Sequence, residues 1–564
     1  MKKILVIITL SSLAFWANAQ NQKVTFNGVA RGNINNNWLP ETDTNNIDQS
    51  LNGNTLIDLR MDIHPSDKIN IKTDLRFGNP MGGFWGQGAT IQLRHLSIKG
   101  VAGNFLKYRF GDIDLKMTPY TLYNNDGELS KNEADIFKFT REINEEENYN
   151  FGNYWHQQGA DLAFRLGFDK LIESADVSGF VVRNRSLVGN IVPDRLHAGA
   201  YTKLNINKKS FIGFNYINLF DVPKTVNNSY TAKFSNEVYT SNFKFDFNAL
   251  YLFGEGGYSR EQFTDTSNVQ IIDIAGDFFE IGAGKKLLGD QLSIGASYRR
   301  VSDDFYSAGA QSKRINFGAA PSVLPVVSEE MTARQAGLLD MISDPTMYNP
   351  TITNSLQTSL AAYNPVSPYG KATPNRKGLD LEIAYKDSAN KYATSLSAEI
   401  MQNVRGEGTE ELRNYKLINW NGEIAFDKIF DLEKTIKLNG GVQYGTSQRD
   451  GKSIVPDVDY TSKAIDAGLV IELVPRLDFL MGTKMIYAEG TEYSNVLDEF
   501  NQITDYKLSN SNKTEQLNAA GIRYRFNDNI TFTVQGNNYS VKFPDQNTAD
   551  YSINQLFMLF NMKF

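Results

Sequence analysis

The chain has 564 residues, a formal net charge of −7 at pH 7, four histidines and no cysteine. The lack of cysteine excludes a disulfide scaffold and a thiol nucleophile, and the acidic balance argues against nucleic acid as a partner. A mean hydropathy of −0.38 resembles a soluble protein, but β-barrels hide their membrane character in alternation, so the strand pattern has to decide.

Lys2 and Lys3 precede an apolar run from Ile4 to Leu10 and a small-residue site, Ala17-Asn18-Ala19. This is the layout of a cleaved signal peptide over 1–19, too short for a spanning helix. With no cysteine after the apolar run, a lipid anchor is not expected. Residues 20–564 are expected to form a single domain with no transmembrane helix, since no other apolar stretch is long enough.

The first clear hairpin starts at Asn54. Ile57, Leu59, Met61 and Ile63 share one face, and Asp58, Arg60 and Asp62 the other. After the turn at 64–67, Ile69, Ile71, Leu75 and Phe77 alternate with Asn70, Lys72, Asp74 and Arg76. A period of 2 on either side of turn residues specifies a hairpin. Hairpins of this kind repeat along the chain. Strands are predicted at 23–34, 54–63, 68–77, 89–99, 104–113, 156–168, 174–186, 196–206, 210–218, 230–239 and 242–253. The others are 269–283, 291–301, 377–387, 391–403, 414–427, 435–447, 461–474, 477–489, 515–526, 530–541 and 551–564, making about 22, with 18 or 20 as alternatives. In 89–99 the alternation slips after Leu93, and 230–239 is short.

The links alternate in length. HPSD at 64–67, the link at 100–103, NKK at 207–209, LLGD at 287–290, DSAN at 387–390, VPR at 474–476 and NDN at 527–529 are short. On the other side, 35–53, 78–88, 114–155, 187–195, 219–229, 254–268, 302–376, 404–413, 448–460, 490–514 and 542–550 are longer. Short links on one side and long ones on the other characterise all-β, antiparallel up-and-down transmembrane barrels with periplasmic turns and extracellular loops.

Two loops, 114–155 and 302–376, exceed what a connection needs. The first carries the acidic run Glu145-Glu146-Glu147 and the aromatics Phe151, Tyr154 and Trp155. In the second, a helix is predicted with Ser328 as cap, Glu329 and Glu330 in its first turn, an apolar stripe of Met331, Leu338, Leu339 and Ile342, and a stop at Asp344-Pro345. Each loop is expected to pack on the barrel rim, fold into the lumen as a constriction, or dock a protein partner.

His64, His95, His156 and His197 lie apart, without the spacing of a metal motif. DGE at 126–128 lacks the calcium-loop pattern. No catalytic, cofactor-binding or metal-binding residue is assigned, and an enzyme is not expected. The charged inward faces predict a hydrated lattice of both signs, because buried charges must pair or be solvated. Arg60, Arg76, Arg94, Arg109 and Arg165 are the candidate lumen-lining residues.

The terminal stretch YSINQLFMLFNMKF at 551–564 places Leu556, Met558, Phe560, Met562 and Phe564 on one face. Asn561 and Lys563 are polar between them, while Phe557 and Leu559 weaken the alternation. It is similar to the closing strand of outer-membrane barrels, with Phe560 and Phe564 as barrel-closing residues. The strand number is similar to that of TonB-dependent transporters, but no room remains for a plug ahead of the first strand. FNGVARGNI at 26–34, NGNTLIDLRMDI at 52–63, LKYRFGDIDLKMTPYTLYNN at 106–125 and LFNMKF at 559–564 together resemble an uncharacterised, porin-like family of outer-membrane β-barrels from Bacteroidota bacteria. LRHLSIKG at 93–100 with YRFGDIDL at 108–115 also resembles porins with an arginine ladder near the constriction.

The resulting expectation is an outer-membrane barrel acting as a passive, porin-like channel for small hydrophilic solutes. The alternative is a structural or interaction subunit of a secretion or outer-membrane assembly complex. Expected partners are outer-membrane lipid and lipopolysaccharide, the barrel-assembly machinery during biogenesis, and a protein docking on 114–155 or 302–376. An apolar-substrate channel would need a greasy lumen, which the charged inward faces oppose.

Overall fold

The computed structural model describes residues 24–38, 49–81, 88–122, 133–151, 156–185, 193–226, 233–265, 267, 269–311, 338, 341–342, 360–368, 370–451, 455–497, 503–545 and 550–564. They form one 22-stranded antiparallel sheet. The first strands are β1 (Val24–Trp38), β2 (Gln49–Ser66), β3 (Ile69–Pro80), β4 (Thr90–Ala102), β5 (Leu106–Asp114), β6 (His156–Lys170), β7 (Ile172–Arg185) and β8 (Asp194–Asn205). Then come β9 (Phe211–Val222), β10 (Lys233–Phe247), β11 (Leu250–Thr264), β12 (Gln270–Leu287), β13 (Leu292–Val301), β14 (Arg376–Lys386) and β15 (Tyr392–Gln402). The last are β16 (Asn414–Ala425), β17 (Ile436–Arg449), β18 (Val458–Val474), β19 (Leu477–Leu497), β20 (Ile503–Asn527), β21 (Ile530–Lys542) and β22 (Tyr551–Lys563). Each strand pairs with its sequence neighbours, and β1 pairs with β22 from Val29↔Lys563 to Trp38↔Asn554. The sheet therefore closes on itself across the membrane span, which is what lipid demands of a spanning sheet.

Strand parity separates two surfaces. Ile57, Phe77, Leu93, Phe110, Leu162, Ile294 and Ile465 are exposed on the outside, while Asp58, Arg76, Asn33 and Asp466 are buried on the inside. Exposed aromatics mark both ends of the apolar belt: Tyr258, Tyr298 and Tyr444 near the long links, Tyr392, Tyr524 and Phe564 near the short ones. Such girdles suit the two interfaces of a membrane. Asn104, Asn248, Asp290, Asn390 and Arg476 take positive φ in the short links, where tight hairpin turns require left-handed residues.

The structure corrects several sequence expectations. Residues 240–247 continue β10 and pair with 250–257, so the hairpin turns at Asn248, not at 240–241. Residues 254–264, expected in a long link, complete β11. The predicted link 490–514 is mostly a ladder, with β19 and β20 paired out to Leu497↔Ile503. In all three places Gly, Ser, Thr and Asn interrupt the apolar alternation although backbone pairing continues. The turn expected at 64–67 is largely strand, with a register shift between Ile63 and Ser66. The signal peptide and most of the helix expected at 328–342 lie outside the described residues.

The slip after Leu93 is a β-bulge. Leu75 faces Leu93 and Asp74 faces His95, leaving Arg94 as the extra residue. The bulge turns Arg94 to the inside, beside Asp58. On the other side of β4, in its hairpin with β5, Gly111 has φ +99°, and a Cβ there would lie 2.2 Å from the Leu96 carbonyl oxygen. The Asp112 carboxylate then accepts the Leu96 N–H at 2.6 Å. Gly111→Ala should destabilise this hairpin by more than about 1 kcal/mol, because strain and a backbone clash coincide. A lower urea midpoint for the folded barrel is the expected measurement; an unchanged midpoint would show that the strands relax freely.

Candidate functional site: the barrel interior

The interior is not lined evenly, because the described parts of both long loops lie inside it. Residues 133–151 include a helix, α1 (Asp135–Phe151), absent from the sequence expectations. Its start rests on the inner wall where that wall has no side chains. A Cβ on Gly468 would lie 2.0 Å from that of Ala134, and one on Gly482 2.7 Å from both Ile136 and Phe137. Ala134, Ile136 and Phe137 pack with Ala464, Val470, Leu480, Ile486, Leu517 and Ala519, inward residues of β18–β20. Two turns on from Ile136, Ile143 meets Phe557 and Leu559 of β22. The weakened alternation of the last strand thus has a cause, since those two residues face inward to seat a helix.

Charge fixes the same segment. The Lys484 ammonium, 1% exposed, lies against Glu133 and 3.1 Å from Asp466. Arg141 Nε donates to Glu133 at 2.8 Å, and Asp135 lies 3.4 Å from both Lys437 and Arg523. The signals for α1 were the 3- and 4-residue spacing of Ile136, Phe139, Thr140 and Ile143 and an acid, Asp135, in the first turn.

Against β9–β13 the filling is different. The Tyr120 ring stacks on Phe278 at 4.0 Å, and its phenol donates to Glu280 at 3.0 Å. Burial, and then Glu280, push the Tyr120 phenol well up, so it stays a proton donor. Thr118 donates to Glu255 at 2.6 Å, and Ser307 donates to the Thr121 carbonyl at 3.1 Å, joining the two long loops to each other. Farther along, Arg299 holds Ser367 at 2.6 Å and Glu399 at 2.8 Å. Gln443 donates to the Tyr363 carbonyl and Gln555 to that of Ile342. Leu338, Met341 and Ile342, the described part of the second loop's expected helix, are buried against this packing.

The candidate arginines divide into two groups. Arg76 clasps Asp58 with two bonds of 2.6 Å, and Arg94 reaches the same carboxylate at 3.1 Å. Arg31, which the sequence reading passed over, is 3.6 Å from it. These three come from β1, β3 and β4, are almost fully buried, and brace the wall around one aspartate. Arg60, Arg109 and Arg165 are more accessible, and each carries its own carboxylate, Asp74, Asp161 and Asp176 respectively. Among the described residues, no group of acids, histidines or cysteines has the arrangement of a metal site.

A closed, even-stranded antiparallel barrel with an apolar belt, aromatic girdles and a polar interior defines an outer-membrane β-barrel. No family model matches the sequence, and a search of curated proteins finds no match. Among solved structures, the FrpB iron transporter of Neisseria meningitidis is similar over 97% of this chain and 83% of its own, at 10% identity and TM-score 0.45. OccK11 (OpdR) of Pseudomonas aeruginosa is similar over 96% of this chain and 97% of its own, at 10% identity and TM-score 0.34. The outer-membrane channel DcaP of Acinetobacter baumannii covers the same shares at 11% identity and TM-score 0.28.

Proposed function

We propose that the protein is a passive, non-catalytic channel for small hydrophilic solutes, exported by its signal peptide and inserted by the barrel-assembly machinery. The observation that carries this reading is the uneven filling of the interior. The described loop segments pack against parts of the inner wall between β9 and β22, whereas the facing wall from β2 to β6 keeps accessible charges: Arg60, Lys99, Lys107, Arg109 and Arg165. A 22-stranded barrel is wide enough for both loop segments and a wetted passage beside them. On this reading Arg60, Arg109 and Arg165 touch solute, while Arg76 and Arg94 stiffen the wall through Asp58.

A second reading, a subunit of an envelope machine, draws support from the hairpin of β19 and β20. These strands have 21 and 25 residues, against 17 in β18 and 13 in β21. Among the described residues, beyond Gly490 and Thr514 they pair only with each other, leaving edges to which a partner strand can add. Planar-bilayer recording of the purified protein separates the readings. The channel predicts steady, ohmic conductance steps. Silence at all voltages, with foreign envelope proteins recovered after crosslinking, would overturn it in favour of the second.

A further inference from the structure

At the short-link mouth of the barrel, Lys203 of β8, Lys244 of β10 and Lys286 of β12 face inward. With Lys208 and Lys209 of the β8–β9 turn they line a cleft of about 420 Å³. Asn205, Asn207, Ser210, Phe211 and Asn248 complete most of the lining, and its carboxylates are Asp246 and Asp290. The charge pattern departs from that of the neighbouring wall. There each arginine has an acid at hydrogen-bond distance, as in Arg109–Asp161 at 2.7 Å and Arg195–Asp221 at 2.7 Å. Here, among the described residues, Lys286 alone of the five has a carboxylate within 4.0 Å, Asp290 at 3.8 Å.

Lys203 and Lys244 are positioned by aromatic rings instead. The Lys203 ammonium lies 4.1 Å from the centre of the Phe211 ring, and that of Lys244 lies 5.0 Å from Tyr251. A ring face holds a cation in place without supplying a counter-charge. The rings take none of the ammonium N–H donors, which stay directed to the cleft in a chain whose net charge is −7. Lysine is a compact point charge suited to phosphate, and convergent positive side chains concentrate anions from solution.

We propose that this cleft binds a small, multiply charged soluble anion of the phosphate class. On the channel reading, on which only this last step rests, that anion is the solute leaving the barrel. Lys203, Lys244 and Lys286 stand on the face opposite the lipid-exposed Phe214, Phe247 and Ile281, so the anion arrives through water and not as a lipid headgroup.

The test is calorimetric titration of the full-length protein in neutral detergent with inorganic pyrophosphate, at about 0.15 M salt where long-range attraction is screened. One saturable site is expected. Lys203→Gln with Lys244→Gln should weaken binding at least tenfold, while Lys434→Gln, in the β16–β17 link, leaves it unchanged. Heat-modifiability confirms that each variant is folded. Absence of saturable binding, or equal binding in the double variant, overturns the site. Retention of a short-chain phosphatidic acid with no pyrophosphate binding overturns the soluble source. Conductance without pyrophosphate binding refutes the site and spares the channel; binding without conductance does the reverse.

Discussion

Lys484→Ala is expected to release α1 from the wall while the barrel itself stays folded. The ammonium is buried between Glu133 and Asp466, and its removal leaves Asp466 without that cation inside the protein. Taking one partner from a buried charge pair costs about 3–5 kcal/mol, comparable to the burial of one or two large apolar side chains. Apolar contacts of Ile136, Phe137 and Ile143 then have to hold the segment with little help. Gly468→Leu should reach the same end by steric means, since its Cβ alone would overlap Ala134. Both variants should be cut by trypsin at Lys138 or Arg141 at least tenfold faster than the parent and show larger, noisier conductance steps. Protease resistance and conductance unchanged in both would mean that the segment is held by something other than this contact.

Removing Phe564, or changing Phe560 and Phe564 together to Asp, should abolish stable membrane assembly. Phe564 exchanges two backbone hydrogen bonds with Gly28, at 2.8 and 3.0 Å, at the seam where the last strand meets the first. Unpaired backbone groups in lipid cost several kcal/mol each, so a frayed seam is heavily penalised. The aspartates act differently, placing charge on the outer face where both rings now stand 37% and 47% exposed. Heat-modifiable protein in the outer-membrane fraction is the readout, and wild-type amounts would refute the role given to these residues.

Much of the wall was legible because a barrel strand must alternate. One face meets lipid and the other does not, so Ile57, Leu59, Met61 and Ile63 declare themselves against Asp58, Arg60 and Asp62. Misreadings fell where that pressure is absent. Beyond the membrane, at 503–514, nothing selects for apolar residues, and the ladder there reads as a polar loop. At 240–247, Ser241 and Asn242 mimic a turn in mid-strand. Irregularities of the pattern proved informative: the slip after Leu93 is the Arg94 bulge, and Phe557 and Leu559 mark where Ile143 of α1 packs on the inner wall.

The amino-acid sequence by itself determined the barrel, a strand number of about 22, the alternation of short and long links over most of the chain and the charged character of its interior, because period 2 and turn chemistry are local properties. It named Arg60, Arg76, Arg94, Arg109 and Arg165 for the inner wall, but passed over Arg31, Arg195 and Arg299 and gave no division into wall braces and accessible groups. Only the tertiary structure decided that the described parts of both long loops lie within the barrel, that Gly468 and Gly482 make a bed for α1, and that Arg31, Arg76 and Arg94 share one aspartate. Residues such as Glu133 and Lys484, or Lys203 and Lys244, meet through the curvature of a closed sheet. Contacts of that kind follow from closure and leave no periodic trace along the chain.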